Sequence, residues 1–115
     1  MDDCIFCQLA HKEIPTDVVY EDDTVFAFKD IEPMAKIHYL FIPKKHITSV
    51  NDLKEGDAAV VADIFKAIAT VAARDGFAET GYRVVTNTGA DGNQSVYHLH
   101  FHVLGGEPIR FPGFD

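Results

Sequence analysis

His98-Leu99-His100-Phe101-His102-Val103-Leu104 is the stretch on which the reading of this chain turns. Side chains alternate between the faces of a β-strand, so residues at i, i+2 and i+4 share a face. A strand over 98–104 therefore puts His98, His100 and His102 on one side and Leu99, Phe101 and Val103 on the other. Three of the chain's six histidines on one face make poor packing material, because each buried imidazole carries two nitrogens that need partners. The spacing leaves two functional readings. Neutral imidazoles alternating along a strand make a good zinc face. Equally, one imidazole can act as a nucleophile while its neighbours hold it.

The segment just upstream favours the second reading. Gly89-Ala90-Asp91-Gly92-Asn93-Gln94-Ser95 delivers glycines, amides and a hydroxyl directly to the histidine strand. Glycines let backbone N–H groups approach a ligand closely, and such groups bind phosphate oxygens. Asn87, at the end of the strand expected over 82–87, offers a further donor.

Outward from there the pattern is strand-rich. Residues 18–21 and 24–29 carry β-branched and aromatic residues around a polar break at Asp22-Asp23, which reads as a hairpin. Residues 39–43 form an apolar third strand, and 98–104 a fifth, closed by Gly105-Gly106. Val60, Val61, Ile64, Phe65, Ile68, Val71 and Ala72 recur at helical spacing, predicting one long helix over 57–74 with Phe65 in its core face and Asp75-Gly76 as its stop. A short helical segment is expected within 4–12, and 107–115 shows no periodicity. Strands with one packed helix predict an α+β fold with an antiparallel sheet, in a single domain spanning 1–115.

Composition narrows the function classes. A 47% hydrophobic chain of 115 residues can build a core without staples. A net charge of −8 argues against nucleic acid and anionic membrane as partners, while leaving room for a small anionic substrate in a locally positive pocket. No apolar run is long enough for a transmembrane helix. The opening Met1-Asp2-Asp3 has no basic region ahead of an apolar stretch, so a cytoplasmic location is expected.

At this point the chain resembles the histidine-triad (HIT) family. His98-Leu99-His100-Phe101-His102-Val103-Leu104 matches the pattern His-x-His-x-His followed by two apolar residues. Gln94-Ser95-Val96-Tyr97 and Gly105-Gly106 around it are similar to the Hint-like branch. The likeness extends through Cys4-Ile5-Phe6-Cys7, Glu13-Ile14-Pro15, Phe28-Lys29-Asp30-Ile31 and Ile42-Pro43-Lys44-Lys45-His46. The resemblance implies a five-stranded antiparallel sheet with a long helix and a short N-terminal one, paired as a homodimer. It implies purine nucleotide substrates cut at the α-phosphate, with Hint-like members acting as phosphoramidases on AMP joined to an amine. The Fhit branch, which splits dinucleoside polyphosphates, is the neighbouring alternative. A zinc-supported nucleotide-binding adaptor, in which turnover is incidental, is another.

Carried onto this chain, the match makes His100 the nucleophile, with His102 and Asn87 near the phosphate and Gln94 and Ser95 on the phosphate and leaving-group side. Asp30 falls where the family holds the ribose, and Ile5, Phe6, Leu9, Phe28 and Ile31 wall the base. Attack by His100 gives a nucleotidyl-imidazole that water then releases, and none of these steps requires a metal. Its other ring nitrogen must be held as a donor, for which a backbone carbonyl near His98 is the candidate. Some family members carry a structural zinc on a Cys-x-x-Cys pair and two histidines, which here are Cys4, Cys7, His46 and His98. The pair could otherwise be redox-active or simply reduced. If zinc binds, His98 serves the metal. His38 reads as a satisfied structural histidine, and Lys44-Lys45 as a solvated pair.

Overall fold

A computed structural model describes residues 4–110. The readings that fall on residues 1–3 and 111–115 lie outside the described residues. In chain order the elements are α1 (Ile5–Ala10), β1 (Val18–Glu21), β2 (Val25–Lys29) and β3 (Ile37–Pro43). Two 3-10 turns (Val50–Asp52, Glu55–Asp57) lead into α2 (Ala58–Arg74), followed by β4 (Arg83–Val85) and β5 (Phe101–Gly105). The five strands form one antiparallel sheet in the order β1-β2-β3-β5-β4. This is the α+β arrangement expected from the sequence. No helix among the described residues is long and apolar enough to cross a membrane.

The sheet is covered on both faces, which is why β2 and β3 read as continuous apolar runs rather than alternating ones. Val25, Ala27 and Phe41 point to α2, where they meet Ile64, Ile68 and Val71. Phe26, Phe28, Leu40 and Ile42 point to the opposite face and meet Phe6, Leu9 and Ala10 of α1. Each such large side chain contributes about 1.5–3 kcal/mol on burial. The β1–β2 turn needs no glycine because Asp22 supplies the chemistry: its Oδ1 accepts the N–H groups of Thr24 and Val25, both at 2.8 Å. The long helix ends at Asp75, and Gly76 adopts a left-handed φ of 83° just beyond it.

Several expectations are corrected. The last strand starts at Phe101, not at 98. Its partner β3 ends at Pro43, which has no N–H to extend the ladder and whose carbonyl is taken by the ring of His98 at 2.8 Å. Leu99 N–H turns instead to the carbonyl of Ile47 at 2.6 Å. The alternation nevertheless persists: Leu99 joins the α2 core, while His98 and His100 are buried on the α1 side beside Phe6. β3 begins two residues early and takes in His38, and the strand expected over 82–87 shortens to β4. Phe65 is 47% exposed rather than core, its ring resting edge-on against Phe101 at the margin of the stripe. Lys44 and Lys45 are not merely solvated, since they pair with Glu21 and Asp57.

Candidate active site

The site grows from the register of β3 and β5 on the α1 face. His102 lies opposite Leu40, and His38 lies opposite Leu104, so the two histidines are diagonal neighbours across the pair. Their rings meet with His38 Nε2 2.9 Å from His102 Nδ1. His100 follows on the same face, its ring 5.1 Å from that of His102. Among the described residues, no buried side-chain nitrogen or oxygen lacks a partner. The stacked histidines thus solve the problem that made them conspicuous.

Hydrogen-bond partners fix where each proton sits. His100 Nδ1 faces the carbonyl of His98 at 2.8 Å. A carbonyl only accepts, so Nδ1 carries the hydrogen and Nε2 keeps its lone pair. Met34 N–H donates to His38 Nδ1 at 3.1 Å, so the proton of neutral His38 resides on Nε2 and is donated to His102 Nδ1. That leaves the Nε2–H of His102 as an outward donor. Burial keeps the rings neutral. It pushes His102 down to about 4, with His100 and His38 adding to the effect, and it lowers His100 as well. Burial also lowers His38, against the opposing pull of the Asp30 carboxylate 3.4 Å away. One side of the site therefore presents a free imidazole lone pair beside an imidazole donor.

A cavity of about 420 Å³ opens from these histidines. Ile5, Phe6, Leu9, Phe28 and Ile31 are among its apolar walls, and its polar lining includes Asp30, Ser95, His100 and His102. Ile5 and Ile31 stand at its rim, largely exposed. A second cavity, of about 430 Å³, lies on the other side of His102 and includes Asn87, Ser95, His38 and Arg83. Ser95 and His102 thus border both spaces.

Gln94 departs from its expected place. It is buried, lines neither cavity, and spends its amide on backbone: Oε1 accepts Gly89 N–H, while Nε2 donates to the carbonyls of Thr48 and Val96. The glycine loop closes on itself in the same way. The Gly89 N–H is committed to Gln94, and a Cβ on Gly92 would overlap the Thr88 carbonyl. These glycines serve the turn. His38 is the satisfied structural histidine that the sequence suggests, buried with both ring nitrogens partnered. What the sequence does not show is its contact: on the face of Leu40 and Ile42, it meets His102 across the sheet.

Among the described residues, two groups of side chains hold donors close enough for a metal ion: Cys4, Cys7, His46 and His98, and separately Asp30, His38 and His102. The first fits. His98 Nε2 faces the Pro43 carbonyl at 2.8 Å, which places its hydrogen there and turns the Nδ1 lone pair toward Cys4 Sγ at 3.4 Å and Cys7 Sγ at 3.5 Å. His46 Nδ1 lies 3.3 Å from Cys7 Sγ. Burial pushes His98 down to about 4, so it stays neutral as a ligand must. The second group does not fit. A metal on His38 Nε2 would displace the ring's one proton to Nδ1, where the Met34 N–H already points.

Comparison with known proteins agrees with this geometry. The family model described as "Scavenger mRNA decapping enzyme C-term binding" matches residues 3–109. The chain is 43% identical over 108 residues to the purine nucleoside phosphoramidase of Escherichia coli (strain K12), spanning 94% of this chain and 91% of that protein. A histidine triad protein from Clostridium difficile superimposes with a TM-score of 0.94 at 44% identity, covering 100% of this chain and 98% of its own. A HIT family hydrolase from Legionella pneumophila gives 0.92 at 44% identity, covering 96% and 98%. With the triad, its sheet and these relatives in agreement, the chain belongs to the histidine-triad family of hydrolases.

Proposed function

We propose that this protein is a nucleoside phosphoramidase that cleaves the α-phosphate bond of a purine nucleotide joined to an amine, through a nucleotidyl intermediate on His100. The observation that carries the reading is the proton placement, which leaves His100 Nε2 unprotonated beside the Nε2–H of His102. The likeness to a purine nucleoside phosphoramidase supports the substrate class.

The apolar cavity takes the base between Phe6, Leu9 and Phe28, with Ile5 and Ile31 at its mouth, and Asp30 accepts hydrogen bonds from the ribose hydroxyls. His100 Nε2 attacks the α-phosphorus, forming a P–N bond as the P–N bond to the leaving amine breaks. The Nδ1–H of His100, held by the His98 carbonyl, stabilises the charge that develops on the attacking ring. His102 donates to a phosphoryl oxygen, and His38 holds it in the donating tautomer. Ser95, bordering both cavities, hydrogen-bonds to the departing amine, whose nitrogen takes up a proton from solvent as the P–N bond breaks and which leaves toward the second cavity, where Asn87 also stands; the hydrolysing water later gives that proton back. Water then attacks the nucleotidyl-imidazole and returns His100 to its starting state.

Zinc belongs to the same reading, held by Cys4, Cys7, His46 and His98 as a closed four-ligand site that crosslinks α1 to the sheet. So does pairing into a homodimer, for which the open edge at β4 and the exposed Phe65 speak. Mass spectrometry of a quenched reaction with an AMP-amine conjugate tests the mechanism. The expected result is an AMP adduct on His100 that disappears in His100→Asn, with turnover falling on the order of 10⁴-fold or more. Full turnover in His100→Asn, or an adduct elsewhere, would sink the proposal.

A further inference from the structure

The nucleophile stands on backbone that the sheet does not hold. β5 begins at Phe101, so residues 98–100 lie outside the strand ladder. The backbone there is fixed by the Leu99 N–H to the Ile47 carbonyl and by the Thr86 hydroxyl to the His100 carbonyl. The ring of His100 is oriented by other groups: the His98 carbonyl at 2.8 Å, the edge-on Phe6 ring at 5.1 Å and 89°, and the His102 ring. Two of these three trace to one place. His98 directs its ring nitrogen to Cys4 and Cys7, and Phe6 sits between those cysteines in the chain. α1, which carries Phe6, has six residues, too few to persist without tertiary anchors.

We propose that the Cys4-Cys7-His46-His98 cluster is the mount of the nucleophile. Through its backbone carbonyl His98 is a positioning residue for His100, and a metal joining the four donors draws the Phe6 wall and the His98 carbonyl into the places that aim the ring. The proposal rests on the zinc and hydrolase readings above, and it adds a catalytic consequence to a site that would otherwise serve stability alone. A displacement of about 1 Å at a reacting group is enough to cost on the order of 10²-fold in rate.

The test uses the full chain, zinc-loaded and zinc-stripped, with metal content measured. Two quantities are followed: solvent exchange of the His100 Nδ1–H in ring-labelled protein by nuclear magnetic resonance, and the single-turnover rate of adduct formation. Circular dichroism monitors the sheet. Stripping is expected to leave the sheet in place, speed exchange of that ring proton about tenfold, and slow adduct formation by about tenfold to a hundredfold. The second arm is Cys7→Ser, which keeps three donors. At zinc concentrations where the sheet is intact, both quantities should follow zinc occupancy and recover as zinc is raised. Protein that takes up zinc yet shows unchanged exchange and unchanged adduct rate at every occupancy overturns the coupling alone. Protein that takes up no zinc overturns the metal reading and the coupling with it. If adduct never forms on His100 in loaded protein, the catalytic reading itself has failed, whatever the ring proton does.

Discussion

Two clusters of histidine lie side by side on the α1 face of the sheet, and by residue type either could be a metal site. One comprises His46 and His98 with two cysteines, the other His38 and His102 with Asp30. What separates them is the partner on the far nitrogen of His98 and of His38. A carbonyl, that of Pro43, holds the Nε2–H of His98 and turns a lone pair toward the thiols. A backbone N–H, that of Met34, occupies Nδ1 of His38 and forces its proton outward along the histidine chain. An acceptor behind the ring frees a lone pair on the other nitrogen, and a donor behind the ring makes that nitrogen a proton donor. Donor identity alone cannot distinguish the two, because each imidazole offers both possibilities.

The sharpest way to break this comparison is at the donor end. His102→Ala removes the outward Nε2–H, and kcat should fall by about 10²–10³-fold. Steady-state kinetics on an AMP-amine conjugate would measure it, and a loss under threefold would deny His102 its role. His38→Phe keeps the ring volume but leaves His102 Nδ1 without its donor. A fall of on the order of 10²-fold in kcat is expected, with the nucleotide KM little changed. A change confined to KM would mean that His38 only shapes the pocket.

The metal end is tested by counting. One equivalent of zinc is expected by elemental analysis in wild type and in Asp30→Asn. Removing it from wild type should lower the melting temperature by about 5 °C or more. A second equivalent, lost on Asp30→Asn, would show that the Met34 argument is mistaken.

The smallest effect is on stability against pH. His102 is lowered to about 4 when folded, from the ordinary histidine value of 6.5, so between these values the unfolded chain binds the proton that the folded one refuses. Its contribution is therefore complete above pH 6.5 and is lost as pH falls toward 4. Denaturant melts across that window should show a stability slope that is shallower in His102→Asn. An unchanged slope would mean that the ring is not desolvated as described.

Much of the site could be read from the chain because its parts follow local rules. Period-two alternation put three histidines on one face, and Cys4-x-x-Cys7 marked a metal-capable pair. Helical spacing gave α2 almost to the residue. The errors have equally physical origins. Alternation predicts a strand over 98–104 because an extended segment keeps it even after its ladder ends, and nothing local shows where Pro43 withdraws the partner strand. Gln94 looked like a phosphate ligand because an amide's hydrogen-bonding capacity is visible in sequence but its allocation is not. His38 reads from sequence only as a satisfied structural histidine, because its contact with His102 joins positions 64 residues apart.

The sequence by itself determined which residues could do chemistry and on which face they would stand, since alternation and helical period are properties of the backbone. Only the tertiary structure decided which proton each histidine carries. That choice depends on a carbonyl or an N–H brought up behind the ring from elsewhere: Pro43 for His98, Met34 for His38 and the carbonyl of His98 for His100.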